Sequence, residues 1–265
     1  MQNHRDFLRR QKKYERKYAR VYFLWLQAVY RDAADQYEGA GSINEPDSFD
    51  EALEAIYTNL YTEVMLKEAK LTNADLKGQK DLLDDAAALY GGGSLLSYWK
   101  VILGTYLGIR IAIRMSEVKQ TTLEFINQII RKSIDEGGTI EETATEIRSK
   151  TGFNRNRSRL IARTETVTAS NSGSHMAAQT SVFVREKRWI ATNDKRTRDT
   201  HRVFLRKGWV PLDTDFLVPL PNSVGVEPAK YPGDITLSPA NVCNCRCATI
   251  YRNKRDTEGN LIRKT

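Results

Sequence analysis

Three cysteines in the last part of the sequence could bind a metal ion together with one histidine. Cys243, Cys245 and Cys247 alternate within five residues, and residues two apart share a face of an extended strand. With His201 they would supply the four sulfur and nitrogen ligands of a tetrahedral zinc site. A single Cys-x-Cys pattern also fits buried thiols or a disulfide to another chain. We predict a structural zinc site formed by His201, Cys243, Cys245 and Cys247, with those alternatives left open.

The polar stretch before His201 contains a carboxylate that could act as an acid or a base. Asp194 and His201 could form a general acid–base pair, which gives a metal-dependent nuclease or toxin-like enzyme as the alternative function. The stretch is turn-like, however, and an aspartate in a turn commonly accepts hydrogen bonds from backbone N–H groups. No nucleophile in a recognisable context accompanies the pair. We therefore expect Asp194 to be structural and the protein not to be an enzyme.

The charge balance indicates an acidic partner. The formal net charge is +8 and the sequence pI is about 9.3, a surplus that suits nucleic acid, an acidic protein surface or anionic lipid. The densest basic run contains Arg155, Arg157 and Arg159, and a basic helix face can follow DNA phosphates. We predict that these three residues bind double-stranded DNA without sequence preference; the alternative is a solvated helix face. For Arg163, nearby, an internal pairing with Glu165 or Asp194 is one alternative to a solvated position.

The spacing of apolar residues predicts that the first 180 residues are mainly helical. The predicted helices cover residues 5–38, 49–70, 94–134, 140–150 and 153–180. In the first, aromatic residues from Phe7 to Trp25 recur at three- and four-residue steps, which favours a buried packing stripe over stacking on nucleic-acid bases. Thr139 and Glu142 form a capping box before the fourth. Small residues from Ala169 to Ala177 would let another element approach the fifth closely.

Glycines and prolines divide the rest of the chain. Gly91–Gly93 predicts a turn or hinge, and it lacks the lysine and spacing of a phosphate-binding loop. After residue 180, short apolar runs predict strands, while residues 211–239 contain most of the prolines and are expected to be mostly loop. The apolar runs are at 182–184, 187–191, 203–205, 209–210 and 248–251. We expect an α+β protein with a mainly helical N-terminal half and a small α+β C-terminal domain.

Three motifs in the second half of the sequence form one constellation. They are Ile161-Ala162-Arg163-Thr164-Glu165-Thr166, the stretch from Lys187 to His201, and Asn244-Cys245-Arg246-Cys247 after Pro232-Gly233-Asp234. In this order and spacing, over about residues 150–252, they resemble the phage head-morphogenesis family typified by the Mu F protein. The motif residues, expected to be structural, are Arg163, Glu165, Trp189, Asp194, Arg196, His201, Asn244, Cys245, Arg246 and Cys247. One departure is that the family often has a His-Pro step where this sequence has Ala240-Asn241-Val242-Cys243.

The resemblance implies a structural role in a tailed bacteriophage. Members of this family are minor head proteins that associate with the portal and influence head assembly, DNA packaging or ejection. The implied division is a helical portal- and partner-interaction region at 1–150 and a Mu F-like head-morphogenesis domain at 151–265. The expected partners are the portal protein, other head proteins and double-stranded DNA, and self-association into a homo-oligomer stays open.

The implied location is the interior of the virion head near the portal, with the host cytoplasm as the place of assembly. Stable membrane insertion is not expected, because the most apolar stretch, Val101 to Met115, is interrupted by Arg110 and Arg114. A host adaptor or membrane-active ejection protein remains a third class of function.

Overall fold

Helices make up nearly all of the described chain before residue 180. The computed structural model describes residues 4–44, 48–77, 94–221 and 224–264. The long helices are α1 (His4–Ala40), α2 (Ser48–Lys77), α3 (Leu95–Asp135), α4 (Ile140–Ser149) and α5 (Thr151–Gln179). All five predicted helices are therefore present, and α2 continues beyond its predicted end at residue 70. The turn predicted at Gly91–Gly93 lies outside the described residues.

The aromatic stripe of α1 is buried. Phe7, Tyr14, Tyr18, Tyr22 and Trp25 each expose 8% or less of their surface. Large apolar side chains each contribute roughly 1.5–3 kcal/mol when buried, so the stripe is a major source of stability for this helix. The prediction of a packing stripe is confirmed, because rings that stack on bases would have to be accessible.

Local signals end and begin helices where the sequence predicts. Gly41 has φ 67° and donates its N–H to the carbonyl of Tyr37 at 2.8 Å, as a glycine does after a helix C-terminus. The capping box is formed before α4: Thr139 Oγ1 accepts from the N–H of Glu142 at 3.2 Å, and the Glu142 carboxylate accepts from the N–H of Thr139 at 2.8 Å. These hydrogen bonds also lower the pKa of Glu142.

The polar and small side chains of the fifth helix, α5, are buried. Ser170, Asn171 and Ser174 expose none of their surface. Gly173 faces the backbone of α2, where an added Cβ would stand 2.8 Å from the carbonyl carbon of Met65. The expected close approach of another element is confirmed, and that element is α2.

Two small antiparallel sheets follow α5. The strands are β1 (Arg185–Ile190), β2 (Val210–Pro211), β3 (Phe216–Pro219), β4 (Val226–Ala229) and β5 (Ala248–Asn253). In one sheet β1 lies between β2 and β5, with Trp189 opposite Thr249; in the other β3 pairs with β4. Two short helices, α6 (Asp199–Arg202) and α7 (Pro239–Val242), complete the region. The predicted α+β class, with helices first and a small mixed region after them, is confirmed.

Two predictions for this region are wrong in detail. Residues 182–184 form no regular strand, although Phe183 makes an isolated bridge to Arg263 and Val182 and Val184 form backbone hydrogen bonds with residues 254–264. The run Val203–Leu205 is a 3-10 turn that continues α6. The proline-rich stretch is mostly loop, as predicted, although it also contains the β3–β4 pair, in which Pro219 and Pro228 are paired residues. Proline is tolerated there because both strands of a two-stranded sheet are edges, where an N–H can be spared.

The described chain separates into two compact units. Unit 1 comprises Met1–Glu15, Leu60–Tyr106 and Arg163–Thr265, and it contains both sheets, the second and third motifs and the first motif from Arg163 onward. Unit 2 comprises Arg16–Asn59 and Leu107–Ala162. The functional division at residues 150 and 151 stays a prediction. Within the described ranges, none of the helices combines the length and apolar character needed to cross a bilayer.

Candidate functional site

The side chains of His201, Cys245 and Cys247 lie together in the core of unit 1. The Sγ atoms of Cys247 and Cys245 are 3.4 Å and 3.7 Å from Nδ1 of His201. The three atoms lie within 4.8 Å of one another, and each residue exposes 3% or less of its surface. The polar motif that ends at His201 and the cysteine motif therefore meet in space, as the sequence predicts.

Short elements position the three side chains. His201 is the third residue of α6, and its backbone N–H donates to the carbonyl of Arg198 at 3.0 Å. Cys245 and Cys247 occupy the connection between α7 and β5. Within it Asn244 adopts the left-handed conformation with φ 59°, which asparagine tolerates better than most residues. The N–H of Cys247 then lies 3.4 Å from Sγ of Cys245, which holds the two thiols on the same side of the turn.

Cys243 does not belong to this group, and the predicted set of four ligands is wrong in that residue. It caps the C-terminus of α7, is half-buried, and its carbonyl accepts a hydrogen bond from Arg198. The prediction assumed that the three cysteines alternate along one strand, but β5 begins only at Ala248. The left-handed Asn244 instead turns the chain between Cys243 and the other two cysteines.

Aromatic rings enclose the group. The indole ring of Trp189 lies edge-on to His201 at 5.5 Å between centroids and stacks on Phe204 at 4.6 Å. Phe216 packs edge-on against Trp189 at 5.4 Å. All of these rings are buried, so the thiols and the imidazole are in an apolar environment without access to bulk water.

The two thiols differ in acidity. A hydrogen bond with Cys247, followed by burial, raises the pKa of Cys245 well above that of a free thiol. The same hydrogen bond, together with the contact to His201, lowers the pKa of Cys247. The thiolate is the form of a cysteine that binds metal.

The three donor atoms could hold a metal ion. In a tetrahedral site with Zn–S about 2.3 Å and Zn–N about 2.1 Å, neighbouring sulfur and nitrogen ligands are about 3.6 Å apart. The distances from Nδ1 of His201 to the two sulfurs, 3.4 Å and 3.7 Å, lie on either side of that value. Among the described residues, no fourth His, Cys, Asp or Glu joins the group. A fourth ligand would therefore have to come from outside this group of side chains.

An ion pair joins the two motifs beside the buried group. The guanidinium of Arg246, between the two cysteines, donates to both carboxylate oxygens of Asp194, with Nη2 to Oδ1 at 2.8 Å. This pairing holds the pKa of Asp194 well below its usual range. Oδ1 also accepts from the N–H of Arg196 at 2.9 Å, which is the backbone-capping role expected for this aspartate. Thr192 Oγ1 donates to the carbonyl of Arg246 at 2.8 Å, which is a second hydrogen-bonded link between the two motifs.

The first motif reaches the same place from α5. Arg163 donates to Asn244 Oδ1 at 2.6 Å and to Glu15 at 2.6 Å, so the alternative of a pairing with Glu165 or Asp194 is wrong. Glu165 instead accepts a hydrogen bond of 2.6 Å from the hydroxyl of Tyr61. The three motifs therefore form one connected centre.

The part of the chain that carries the motifs is similar in sequence to known proteins. Residues 124–250 match the family described as phage Mu protein F like protein. Over those residues the chain belongs to the Mu F-like family. An uncharacterized protein of Bacillus subtilis (strain 168), YqbB, is 26% identical over 137 residues, which are 51% of this chain and 43% of that protein. The chain thus aligns with less than half of that relative's length, and no solved structure matches.

The arginines proposed for DNA lie in unit 2, near the start of α5 in the Mu F-like region. Arg155 and Arg159 are exposed. Arg157 turns inward, where its Nη2 donates to the carbonyl of Val118 and to Thr122 Oγ1, both at 3.1 Å. Burial lowers the pKa of Arg157. Arg157 is therefore a packing residue and not a phosphate contact, which corrects the prediction for one of the three.

The geometry around Asp194 and His201 does not resemble an acid–base pair. Asp194 is engaged by Arg246, and its lowered pKa keeps it ionised. Nδ1 of His201 faces two thiols, and the imidazole is enclosed by aromatic rings. Unit 2 contains a cavity of about 810 Å³ between residues of α2 and α3, from Asp50 to Thr58 and from Leu107 to Asn127. None of the Mu F-like motif residues line this cavity.

Sequence reasoning missed Asn171 as a structural residue. Its side-chain amide accepts from the N–H of Thr249 at 2.9 Å and donates to the carbonyl of Cys247 at 3.1 Å. It thereby pairs with the start of β5 as a neighbouring strand would. The only signal for it was its place in a helix of small residues, and such a signal does not distinguish a polar bridge from close packing.

Proposed function

We propose that this Mu F-like chain is a minor head protein of a tailed bacteriophage, acting inside the head near the portal. Its partners would be the portal protein, other head proteins and, without sequence preference, double-stranded DNA. It would aid head assembly, genome packaging or ejection, and it would be made and assembled in the host cytoplasm. In this proposal the protein works by contact and not by catalysis.

The observation that carries the proposal is the character of the motif centre. Residues that define the Mu F-like resemblance are used to hold α5, the turn after β1 and the start of β5 together. Its chemically reactive groups, the imidazole and two thiols, are buried at 3% exposure or less. A centre that is connected internally and closed to solvent suits a protein that must keep its shape within an assembly.

The location is tested with purified phage heads. Mass spectrometry of heads, followed by electron microscopy of heads with the protein labelled, should find it in few copies at the portal vertex. Heads without the protein, or with it distributed over the shell surface, would contradict the proposal. Heads assembled from a phage with this gene interrupted serve as the control for labelling.

We further propose that His201, Cys245 and Cys247 hold a structural zinc ion. A metal bound by deprotonated thiols would join α6 to the segment before β5 and stabilise a region rich in connections. Without metal, the hydrogen bonds of the thiols and the Asp194–Arg246 pair would do this alone.

Elemental analysis of protein purified without chelator tests the zinc proposal. Cys247→Ser should lose near-stoichiometric zinc and melt at a lower temperature, whereas the matched variant Cys243→Ser should keep both, because Cys243 lies outside the group. Metal-free wild-type protein whose melting is unchanged by chelator would refute the site. Equal loss of zinc in the two variants would show that the ligand set is wrong.

The pairing of Asp194 with Arg246 and the burial of His201 against two thiols do not support the alternative proposal of a nuclease or toxin-like activity. Incubation of the protein with DNA and RNA in the presence of divalent metals measures this directly. Cleavage that disappears in a folded His201→Ala variant would replace the structural proposal with an enzymatic one.

A further inference from the structure

The surplus of positive charge is concentrated after α5. Residues 181–265 contain 16 lysines and arginines against 9 aspartates and glutamates, a surplus of seven out of the net +8 of the whole chain. The first 180 residues are thus almost balanced. A surface that attracts a polyanion is therefore first to be sought in the C-terminal region.

Five of these cations are exposed and lie within 13 consecutive residues of the sequence; they are here named the basic rim. It consists of Lys195, Arg196, Arg202, Arg206 and Lys207, which are all exposed. Between residues 195 and 207 only Asp199 is acidic. Asp199 lies 3.4 Å from Arg202 with its side chain 99% exposed, so solvent screens that pair and the rim stays strongly positive.

The motif centre positions two of the rim's arginines, Arg196 and Arg202. Arg202 donates from Nε to the carbonyl of Thr197 at 3.0 Å and from Nη2 to the carbonyl of Asp194 at 3.2 Å. Nη2 of Arg196 lies 3.9 Å from the Asp194 carboxylate, which Arg246 already neutralises. Two guanidiniums, those of Arg196 and Arg246, therefore face one carboxylate, and Arg202 is bonded to the backbone beside it. Charges positioned before binding lose little freedom when a ligand arrives.

We propose that the basic rim is the surface with which this protein contacts the phosphate backbone of double-stranded DNA. The inference rests on the proposed role in DNA contact and specifies where that contact is made. The rim exposes five cations and one apolar side chain, Val203, which is 43% exposed. Protein–protein interfaces have an apolar or aromatic centre, so this surface fits phosphates better than a protein. Contacts to phosphate alone give binding without sequence preference.

The experiment measures binding of the full-length protein to a fluorescent duplex as salt is raised. In the rim variant four residues are changed: Lys195→Gln, Arg196→Gln, Arg206→Gln and Lys207→Gln. Arg202 is kept because it fastens the turn. Each phosphate contact contributes about 0.9 to the slope of log affinity against log salt, so the slope should fall by about 3–4. Affinity at low salt should fall at least tenfold, with the melting temperature unchanged.

The matched control removes the same total charge from unit 2. It combines Arg131→Gln, Lys132→Gln, Arg155→Gln and Arg159→Gln, which are all exposed residues. The control should retain the wild-type slope. An equal or larger loss in the control than in the rim variant would overturn the inference while leaving DNA binding intact. Retention of an acidic polypeptide in preference to the duplex would overturn it as well. Wild-type protein that retains no duplex at low salt would refute the DNA part of the proposed function itself.

Discussion

A single methyl group at Gly173 tests whether α2 and α5 pack backbone against backbone. In an open helix interior, alanine in place of glycine stabilises a protein by up to about 1 kcal/mol, because it restricts the unfolded chain. At Gly173 the added Cβ would lie 2.8 Å from the carbonyl carbon and 2.9 Å from Cα of Met65. These are backbone atoms, so no change of rotamer can relieve the overlap and the helices must move apart.

The size of the effect follows from these contacts. Overpacking of a core typically costs about 1–3 kcal/mol, and a contact with rigid backbone belongs at the upper end. Separation of the helices also weakens the 2.9 Å hydrogen bond from Thr72 to Ser174, worth about 1 kcal/mol. After the helix-propensity gain is subtracted, Gly173→Ala should be destabilising by about 2–3 kcal/mol. For a chain of this size that lowers the melting temperature by roughly 4–12 °C.

Thermal and denaturant unfolding of Gly173→Ala should be compared with Gly104→Ala. Gly104 lies within α3 with nothing within 4 Å of an added Cβ, so the same substitution there should stabilise by about 0.5–1 kcal/mol. The two changes are chemically identical and opposite in expected sign. If Gly173→Ala is as stable as Gly104→Ala, the close approach of α2 and α5 is refuted.

Three further changes probe the buried groups. Trp25→Ala should lower the free energy of unfolding by about 3–5 kcal/mol in denaturant titrations, since the ring is 6% exposed; an unchanged value would mean that it is not core. Burial lowers the pKa of His175 to about 3, so between pH 6.5 and that value the unfolded state binds the extra proton and wild-type stability falls as pH falls. His175→Gln should flatten this acid loss, and an unaltered pH profile would contradict it. Burial also lowers the pKa of Lys187 to about 8, so the unfolded state binds more protons up to about pH 10.5 and wild-type stability rises with pH in that window. Lys187→Met should abolish this rise of stability with pH. It removes the 2.9 Å hydrogen bond from Lys187 Nζ to the carbonyl of Lys230, but it should not destabilise the protein at pH 7, because it also removes a buried charge. A large loss of stability at pH 7 would show that the buried charge is stabilising.

Local signals in the sequence were sufficient for the helices and the cap. Apolar spacing along α1 and the Thr139–Glu142 pair act within one or two turns, so they can be read without knowledge of the rest of the fold. The proximity of His201 and Cys245 was also predicted from the motifs, although the spacing of the motifs in the sequence did not predict the distances between these side chains.

What failed depended on contacts distant in sequence. Alternation predicted one face for three cysteines, but a left-handed Asn244, held by Arg163 from 81 residues away, turns the chain after Cys243. The sequence also did not predict that Arg157 turns inward, because its partners Val118 and Thr122 are 39 and 35 residues away. The hydroxyl and amide side chains of α5 are buried against polar partners, so its polar residues do not mark an exposed face.

The amide of Asn171 has a consequence for how the chain folds during synthesis. Its partners, the carbonyl of Cys247 and the N–H of Thr249, lie 76 and 78 residues further along. At about 5–20 residues per second, a ribosome needs roughly 4–16 s to add that stretch. During this interval α5 is complete and can contact α2, but the part of its polar face around Asn171 stays uncovered because β5 does not yet exist. The nascent helical half must therefore remain tolerant of water along α5, and serine, threonine and asparagine provide that tolerance where leucine would invite aggregation.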